Sequence, residues 1–459
     1  MTGHAKKFLR DARRITADLH HRKIVRTALR NYEAARDRRK AAFMDWQTAR
    51  QAAAETKWEA INYLDENLTA FADKLAARGT KVHWASTPRQ ARDIIVEIIH
   101  DKAARCIVKS KSMTAEEIHL NEALEHAGFE VVESDLGEFI VQLRGEPPYH
   151  IVFPSMHLTR GEIRELFQHK LKDAPSDNPE DLTMVARRVL REKFINAEIG
   201  ITGANFAIAE TGMISITENE GNARLTAALP RTMITLLGIE KILPRLEDLA
   251  LFLPMLATAG AGQLMSGYNT LYGGPRQQGE SDGPVEFHVV LLDNQRTQLL
   301  ANSEQRDVLH CIRCGACLNV CPIFRNIGGH TYGTTYSGPI GSVLTPHLRG
   351  LRDWKHLSYA SSLCGACTEV CPVKIDLHRH LLHNRRNAVA KKFDNPLQRL
   401  AFAAWLWTMQ SPTRYAIAGK LLRLGIPGFV LKSWTATREF PTPPKQSFKD
   451  YWRRHERGA

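Results

Sequence analysis

The sequence predicts an α/β body, a parallel or mixed sheet covered by helices, followed by a smaller helical module rich in cysteine. Three observations carry this. Short apolar runs alternate with capped helical segments between about residues 78 and 300, the pattern of a layered α/β sheet. Seven of the eight cysteines crowd into two groups beyond residue 310. Residues 4–77 contain neither Pro nor Gly and are dominated by Ala, Arg, Lys and Glu, which predicts a helical segment over 1–75.

Taken in order, K-V-H-W-A (81–85) reads as the first strand. Thr87-Pro88 then supplies an N-cap and a proline at the first helical position, opening a helix to about 104. C-I-V-K-S (106–110) is a short buried strand whose thiol, Cys106, is expected to be an inert core group. Thr114 and Glu117 form a capping box for a helix ending near Gly128. F-E-V-V-E-S (129–134) and H-I-V-F-P (150–154) read as further strands. After a helical insert at 159–197, strand patterns return in 199–216, 232–238 and 285–293, around a glycine-rich loop at 260–283. The expected division is a helical segment over 1–75, an α/β domain over 76–300, a dicluster module over 303–395 and a basic helical, Pro-rich tail over 396–459.

The cysteines fix the chemistry. Cys311, Cys314, Cys317 and Cys321 sit in C-I-R-C-G-A-C-L-N-V-C-P, the C-x2-C-x2-C-x3-C-P spacing of a two-cluster iron–sulfur protein. Three closely spaced thiolates wrap one cube, and the fourth ligates the other cluster. Aligning the second group, Cys364, Cys367 and Cys371, on its Cys-Pro end puts Ser361 where a first cysteine would stand. The crossover rule then gives cluster one Cys311, Cys314, Cys317 and Cys371, and cluster two only Cys321, Cys364 and Cys367. A serine hydroxyl is a hard, reluctant ligand. The second cluster is therefore expected to be either a 3Fe-4S cluster or a 4Fe-4S cube with an incomplete cysteine set, beside an intact 4Fe-4S first cluster. Structural zinc uses separated pairs with four ligands each, which this spacing does not resemble. Disulfide frameworks belong to small secreted chains.

The net charge of +13 is uneven: residues 1–60 carry +8 and 379–459 carry +12, around a body of −7. Basic ends suit an acidic partner or an anionic membrane surface reached peripherally. No nucleic-acid motif accompanies the charge, so no nucleic-acid partner is expected. No apolar run approaches the ~18 residues needed to cross a bilayer, and the N-terminus lacks a secretory h-region, so a cytoplasmic protein is expected.

Outside the cysteines, Lys109, Ser110, Lys111 and Ser112 follow a strand, at the end of an open sheet that faces ligands, and could hold a phosphate or carboxylate. Gly203, Glu210 and Gly212 lie in a strand-end turn, where Glu210 could act as nucleophile or base. That option supports a competing class, an autonomous enzyme performing acyl transfer or isomerisation at Glu210 with purely structural clusters. His378, His380 and His383 read as surface histidines, and the stripe around Trp405 and Trp407 as a packing face.

K-S-K-S-M-T-A-E-E-I-H-L-N (109–121), E-S-D-L-G-E (133–138), G-I-T-G-A-N-F-A-I-A-E-T-G (200–212) and E-G-N-A-R-L (220–225) resemble the lactate-utilisation domain. With S-S-L-C-G-A-C-T-E-V-C-P-V-K-I-D-L-H (361–378), the cysteine module resembles the iron–sulfur family, LutB type, of bacterial L-lactate oxidation. The resemblance implies an α/β domain similar to sugar-phosphate isomerases and CoA transferases. It also implies a subunit of an L-lactate dehydrogenase complex that passes electrons from lactate oxidation to pyruvate. Two further subunits are implied, one with cysteine-rich repeats and one with a lactate-utilisation domain alone. The family's second cysteine group also has three members.

Overall fold

Among the described residues ten strands follow one another: β1 (Lys81–Ala85), β2 (Cys106–Lys109), β3 (Glu130–Glu133), β4 (Ile199–Thr202), β5 (Phe206–Ile208), β6 (Met213–Glu218), β7 (Thr232–Gly238), β8 (Ile242–Leu243), β9 (Tyr268–Tyr272) and β10 (Glu286–Leu292). The computed structural model describes residues 2–173, 175–423, 435, 438–439, 441–442 and 444–456. Six strands pair in the order β1-β10-β7-β4-β2-β3, every pair parallel. A second sheet, β8-β5-β6-β9, is mixed: β5 and β8 are parallel, and the β6 pairings antiparallel.

A parallel sheet is covered on both faces, so its central strands are apolar throughout; all seven residues of β7 are buried. The two-residue alternation of strand side chains divides the core. Ile234, Leu236, Val290 and Leu292 meet the Pro88–Asp101 and Leu120–His126 helices through Ile95, Ile99 and Leu124. Met233, Leu237, Val289 and Leu291 point the other way and pack with Leu68, Phe71 and Leu75 of the Leu64–Ala77 helix.

The N-terminal helices do not form a separate arm. Those of Gly3–Ala17, Leu19–Lys40 and Trp46–Asn62 give Phe8, Val25, Leu29 and Ala53 to a third core, shared with Leu318, Phe324, Tyr332, Val343 and Leu377 of the cysteine module. Met1–Ala388 is one structural unit, and Val389–Ala459 is a second. Several cations of the basic N-terminus are used internally: Arg50 Nε donates to the Cys371 carbonyl at 2.8 Å, and the buried Lys57 Nζ to the Glu240 carbonyl at 2.7 Å. In the second unit the described helices are Pro396–Met409, Pro412–Arg423 and Phe448–Glu456. The expected packing face there is open, with Trp405 and Trp407 56% and 59% exposed. No helix among the described residues is long and apolar enough to cross a membrane.

Two local expectations are corrected. Residues 150–154 form no strand, because the His150 Nδ1 accepts from the Val152 and Phe153 N–H groups and folds the backbone around its own ring. The capping residue after β2 is Ser112, whose hydroxyl accepts from Ala115 N–H, not Thr114. That helix stops at Glu117, and His119 takes a left-handed conformation (φ 54°) before the next begins.

Sheet and cysteine module are joined by buried charge. Arg296, 1% exposed, donates in bidentate fashion to Glu117 at 2.9 and 2.8 Å and through Nε to Glu240. Glu240 also accepts from Arg313 Nη2 at 3.0 Å, and Tyr336 Oη donates to Glu117 at 2.7 Å. Burial alone would raise the Glu240 carboxyl; Arg296 and Arg313 reverse this and hold it down to about 2.

Removing the shared cation leaves Glu117 with Tyr336 and Glu240 with Arg313 among their remaining partners in a dry interior. Arg296→Met is expected to lose about 3–5 kcal/mol, read as a lower urea midpoint. Because Glu240 is depressed in the folded state, its stabilisation is fully present above the ordinary carboxylate value of 4.5 and is lost as pH falls toward 2. Glu240→Gln should therefore flatten the acid-unfolding profile in that window.

Candidate cluster-binding site and adjoining cavity

The two cysteine groups sit on repeated backbone. Gly315 (φ 77°) and Gly365 (φ 83°) precede the short helices Ala316–Val320 and Ala366–Val370, which contact one another. One residue before Cys314 and Cys364, Arg313 (φ 60°) and Leu363 (φ 56°) share the left-handed conformation. The turns are fixed from outside as well: a Cβ on Gly315 would meet His150 and Val152 at 3.1 Å, and one on Gly260 would meet the Cys314 carbonyl at 2.9 Å.

All seven thiols are free of disulfides. Cys314, Cys317, Cys321, Cys367 and Cys371 are buried, Cys311 is half-buried and Cys364 exposed. Burial raises the Cys314 thiol, and Cys371 and Cys311 add to it. Cys371 is pushed up to about 12 by burial and by Cys311. Cys367 goes up to about 11 through burial, Cys321 and Cys364. Cys317 is raised by burial, by Cys314 and Cys311, and by Cys367 across the gap. Crowded buried thiols that discourage each other's ionisation become thiolates when a metal supplies the counter-charge, so the donor set fits an iron–sulfur group. Phe324 N–H points at Cys321 Sγ at 3.5 Å and Ile375 N–H at Cys371 Sγ at 3.4 Å. Ser361 Oγ accepts from the Leu363 N–H at 3.1 Å, so its lone pairs are turned onto its own loop.

The histidines after the second group are not all at the surface. His380 is 3% exposed, with Nε2 2.9 Å from Asp307 Oδ2. His378 lies 2.8 Å from Thr368 Oγ1, and His383 faces the His380 ring at 5.7 Å. All three serve packing and hydrogen bonding inside the module.

Behind the Cys311–Cys314 loop lies a cavity of about 540 Å³. It opens at the carboxyl ends of β2, β3 and β4, lined by Ser110–Ser112, Asp135–Gly137 and Gly203–Asn205, and by Glu218–Glu220 at the end of β6. The chain leaves β2 for β3 on one side, then returns to β4 on the other. Such a reversal opens the crevice in which α/β sheets bind ligands. Four of the segments on which the sequence resemblance rests meet here. Lys111, Lys241 and Arg313 bring positive charge, and Asp135, Glu218 and Glu220 negative. Among the described residues the buried Arg313 has no hydrogen-bond partner at Nε or Nη1; its guanidinium lies 4.6 Å over the Tyr336 ring. Burial, then Asp135, pushes the Glu220 carboxyl up to about 7.

Ser110, Lys111 and Ser112 thus line the ligand end, as their place after a strand suggests. Lys109 does not: fully buried, it is paired with Glu133 at 2.8 Å and Glu116 at 3.2 Å. Glu210 lies outside the cavity, exposed, with Oε2 accepting from Leu246 N–H. Gly212, in the same turn, packs against Lys74. Cys106 is half-buried, its thiol raised by burial and by Glu130. Sequence reading missed Lys241, Arg313 and Glu220 as cavity residues.

The comparisons match this division of labour. The LUD domain model matches residues 68–292, the 4Fe-4S dicluster domain 307–375, and the lactate utilisation protein B C-terminal model 383–457. Lactate utilization protein B of Bacillus velezensis is 45% identical over 426 residues, covering 90% of this chain and 89% of that protein. The chain belongs to the lactate utilization protein B family. Members from Geobacillus sp. and Anoxybacillus flavithermus are 42% and 43% identical, covering 90% and 89% of this chain and the same shares of their own. A DUF162 family protein from Deinococcus radiodurans, 15% identical, covers 50% of this chain and 98% of its own with a TM-score of 0.28, too low to carry an argument. In this family member the dicluster match encloses all seven grouped cysteines, and the LUD match all but three residues of the cavity's cysteine-side wall, Ile312, Arg313 and Cys314, and Tyr32.

Glu220 provides a test of the cavity's electrostatics. Its raised folded value means that the folded state resists the charged form, so it costs stability as pH rises from the ordinary carboxylate value of 4.5 to about 7. Glu220 is exposed to solvent, which screens the effect; Glu220→Gln should stabilise the protein by no more than about 1 kcal/mol at pH 8 and by less at pH 5, measured as paired urea midpoints.

Proposed function

We propose that this chain is the iron–sulfur electron-transfer subunit of an L-lactate oxidation complex, working with two further subunits, one carrying cysteine-rich repeats and one a lactate-utilisation domain alone. One observation carries this: the dicluster match falls on two crowded sets of free thiols, in a chain nine-tenths of which aligns with proteins named for lactate utilization. Cys311, Cys314, Cys317 and Cys371 hold one 4Fe-4S cluster. Cys321, Cys364 and Cys367 hold the second, either a 4Fe-4S cube with an incomplete cysteine set or a 3Fe-4S cluster. The mutual influence of Cys371 with Cys311 and Cys314, and of Cys321 with Cys364 and Cys367, supports that division. The hydroxyl of Ser361, engaged by Leu363 N–H, supports the incomplete second set.

Each cluster, when bound, accepts or gives up one electron. The chain's own contribution is to exclude water from most of the sulfurs, to direct the Phe324 and Ile375 N–H groups at two of them, and to fix the second loop through Arg50. The exposed Cys364 makes the second site the one nearer to solvent and to a partner. The cavity is the place for a small 2-hydroxy or 2-oxo acid. Lys111, Lys241 and Arg313 would take its carboxylate, and Glu220, poised near neutrality, could hold the hydroxyl proton.

Anaerobic EPR with iron and sulfide counts should find two unequal clusters, the oxidised second one giving a three-iron signal that Ser361→Cys abolishes. In the reconstituted complex, Cys314→Ala should remove lactate-dependent acceptor reduction; retention of that activity refutes the relay. Calorimetric titration with lactate and pyruvate should show binding that Lys111→Gln weakens about tenfold, the scale of one lost charge-assisted hydrogen bond. Absence of binding would move the acid to a partner and leave the relay standing.

A further inference from the structure

Around Tyr149, three side chains converge that the proposed relay does not use. Glu146, His157 and His330 each offer a donor atom, and these atoms lie within 4.8 Å of one another. His157 is 7% exposed, and its Nε2 is 3.0 Å from Glu146 Oε2. Its Nδ1 is buried and has no hydrogen-bond partner among the described residues. A buried ring nitrogen in that condition costs free energy unless something fills the vacancy. The His157 and His330 ring centroids are 5.0 Å apart, and Tyr149 stacks on His157 at 4.4 Å, fixing its plane.

The surroundings of His330 resemble those of a metal-ligating histidine, which directs its second nitrogen at a carboxylate or backbone carbonyl. His330 Nε2 lies 2.8 Å from the Pro147 carbonyl, which makes Nε2 the protonated nitrogen and leaves a lone pair on Nδ1. Burial lowers both rings, His157 to about 4, so both are neutral donors at physiological pH. Burial alone would raise Glu146; Arg144 and His157 outweigh it and keep it ionised. Arg144 engages only Oε1, at 2.7 Å, and both Glu146 and His330 are half-exposed, which leaves a way in.

We propose that Glu146, His157 and His330 bind one zinc-class divalent ion. Two imidazoles and a carboxylate suit zinc and similar borderline cations better than calcium or magnesium, which favour all-oxygen shells. The ion would act as a staple. Glu146 and His157 belong to the α/β body, in the loop between the Leu136–Arg144 and Arg160–Lys170 helices, whereas His330 opens a short turn of the cysteine module. The two segments already meet closely: a Cβ on Gly329 would come within 1.7 Å of the Tyr149 carbonyl. The proposal does not rest on the electron-transfer reading and concerns none of the seven grouped cysteines.

The test uses full-length, cluster-loaded protein, dialysed anaerobically against buffered zinc and analysed for zinc and iron by mass spectrometry. One zinc per chain should be retained in addition to the iron. His157→Gln, His330→Gln and Glu146→Gln should each weaken retention roughly 10–100-fold with iron content unchanged. Added zinc should raise the melting temperature of the wild type and not of the variants. No retained zinc in the wild type, or equal zinc in wild type and variants, overturns the site; the second result would show the ion to be elsewhere, on the cysteines for example. If His157→Gln does not fold, the half-exposed Glu146 and His330 variants decide alone.

Discussion

The buried chain of charge from Glu117 through Arg296 and Glu240 to Arg313 is the constraint on which the rest depends. It begins just after the loop that follows β2, passes the end of β7, and ends inside the Cys311–Cys314 turn. Buried ion pairs gain little net stability over apolar packing, yet they tolerate few alternative geometries because each partner left alone is so costly. Here that intolerance sets position. Arg313 sits in the left-handed conformation that the turn requires, and its guanidinium is held by Glu240 and by the face of Tyr336. The first cysteine loop therefore cannot shift without breaking contacts that reach into the sheet.

The same residues define the cavity. Arg313 belongs to its wall, Lys241 follows Glu240 in the chain, and Gly260 closes against the Cys314 carbonyl. The ligand end of the sheet and the back of the cysteine loop are thus one surface. A molecule bound there would be next to the first thiol group without an intervening layer of protein. The mixture of three cations and three carboxylates suits a polar anion that also carries a hydroxyl or carbonyl, since a simple apolar guest would leave those groups unpaired.

Much of this was legible from sequence, and the failures share a cause. The cysteine spacing, the strands at 81–85, 106–110 and 129–134, and the Thr87 cap depend on near neighbours, and the structure has them where local chemistry puts them. The ligand end after β2 followed from strand polarity alone. What could not be read were side chains that act across the fold. Lys109, Glu117, Arg296 and Lys57 look like surface residues until their partners, up to 219 residues away, are known. His150 is a different case. Its run is apolar enough for a strand, but one ring nitrogen within reach of two N–H groups outweighs the propensity of five residues. His380 misled for the opposite reason, since only Asp307 explains its burial.

The two cysteine loops show how a repeat becomes asymmetric. Their turns share left-handed positions, glycines and five-residue helices, so the backbone is the same device used twice. The differences lie in what surrounds each copy. Where the first has Cys311 and Arg313, the second has Ser361 and Leu363. Arg313 is tied into the sheet by Glu240, whereas Leu363 only packs at the edge of the core and spends its N–H on the Ser361 hydroxyl. The first loop is consequently walled in by the body, and the second carries an exposed cysteine. One copy is thus buried beside the cavity and the other opens to solvent. The two four-residue turns, C-I-R-C and S-S-L-C, differ at every position but the last.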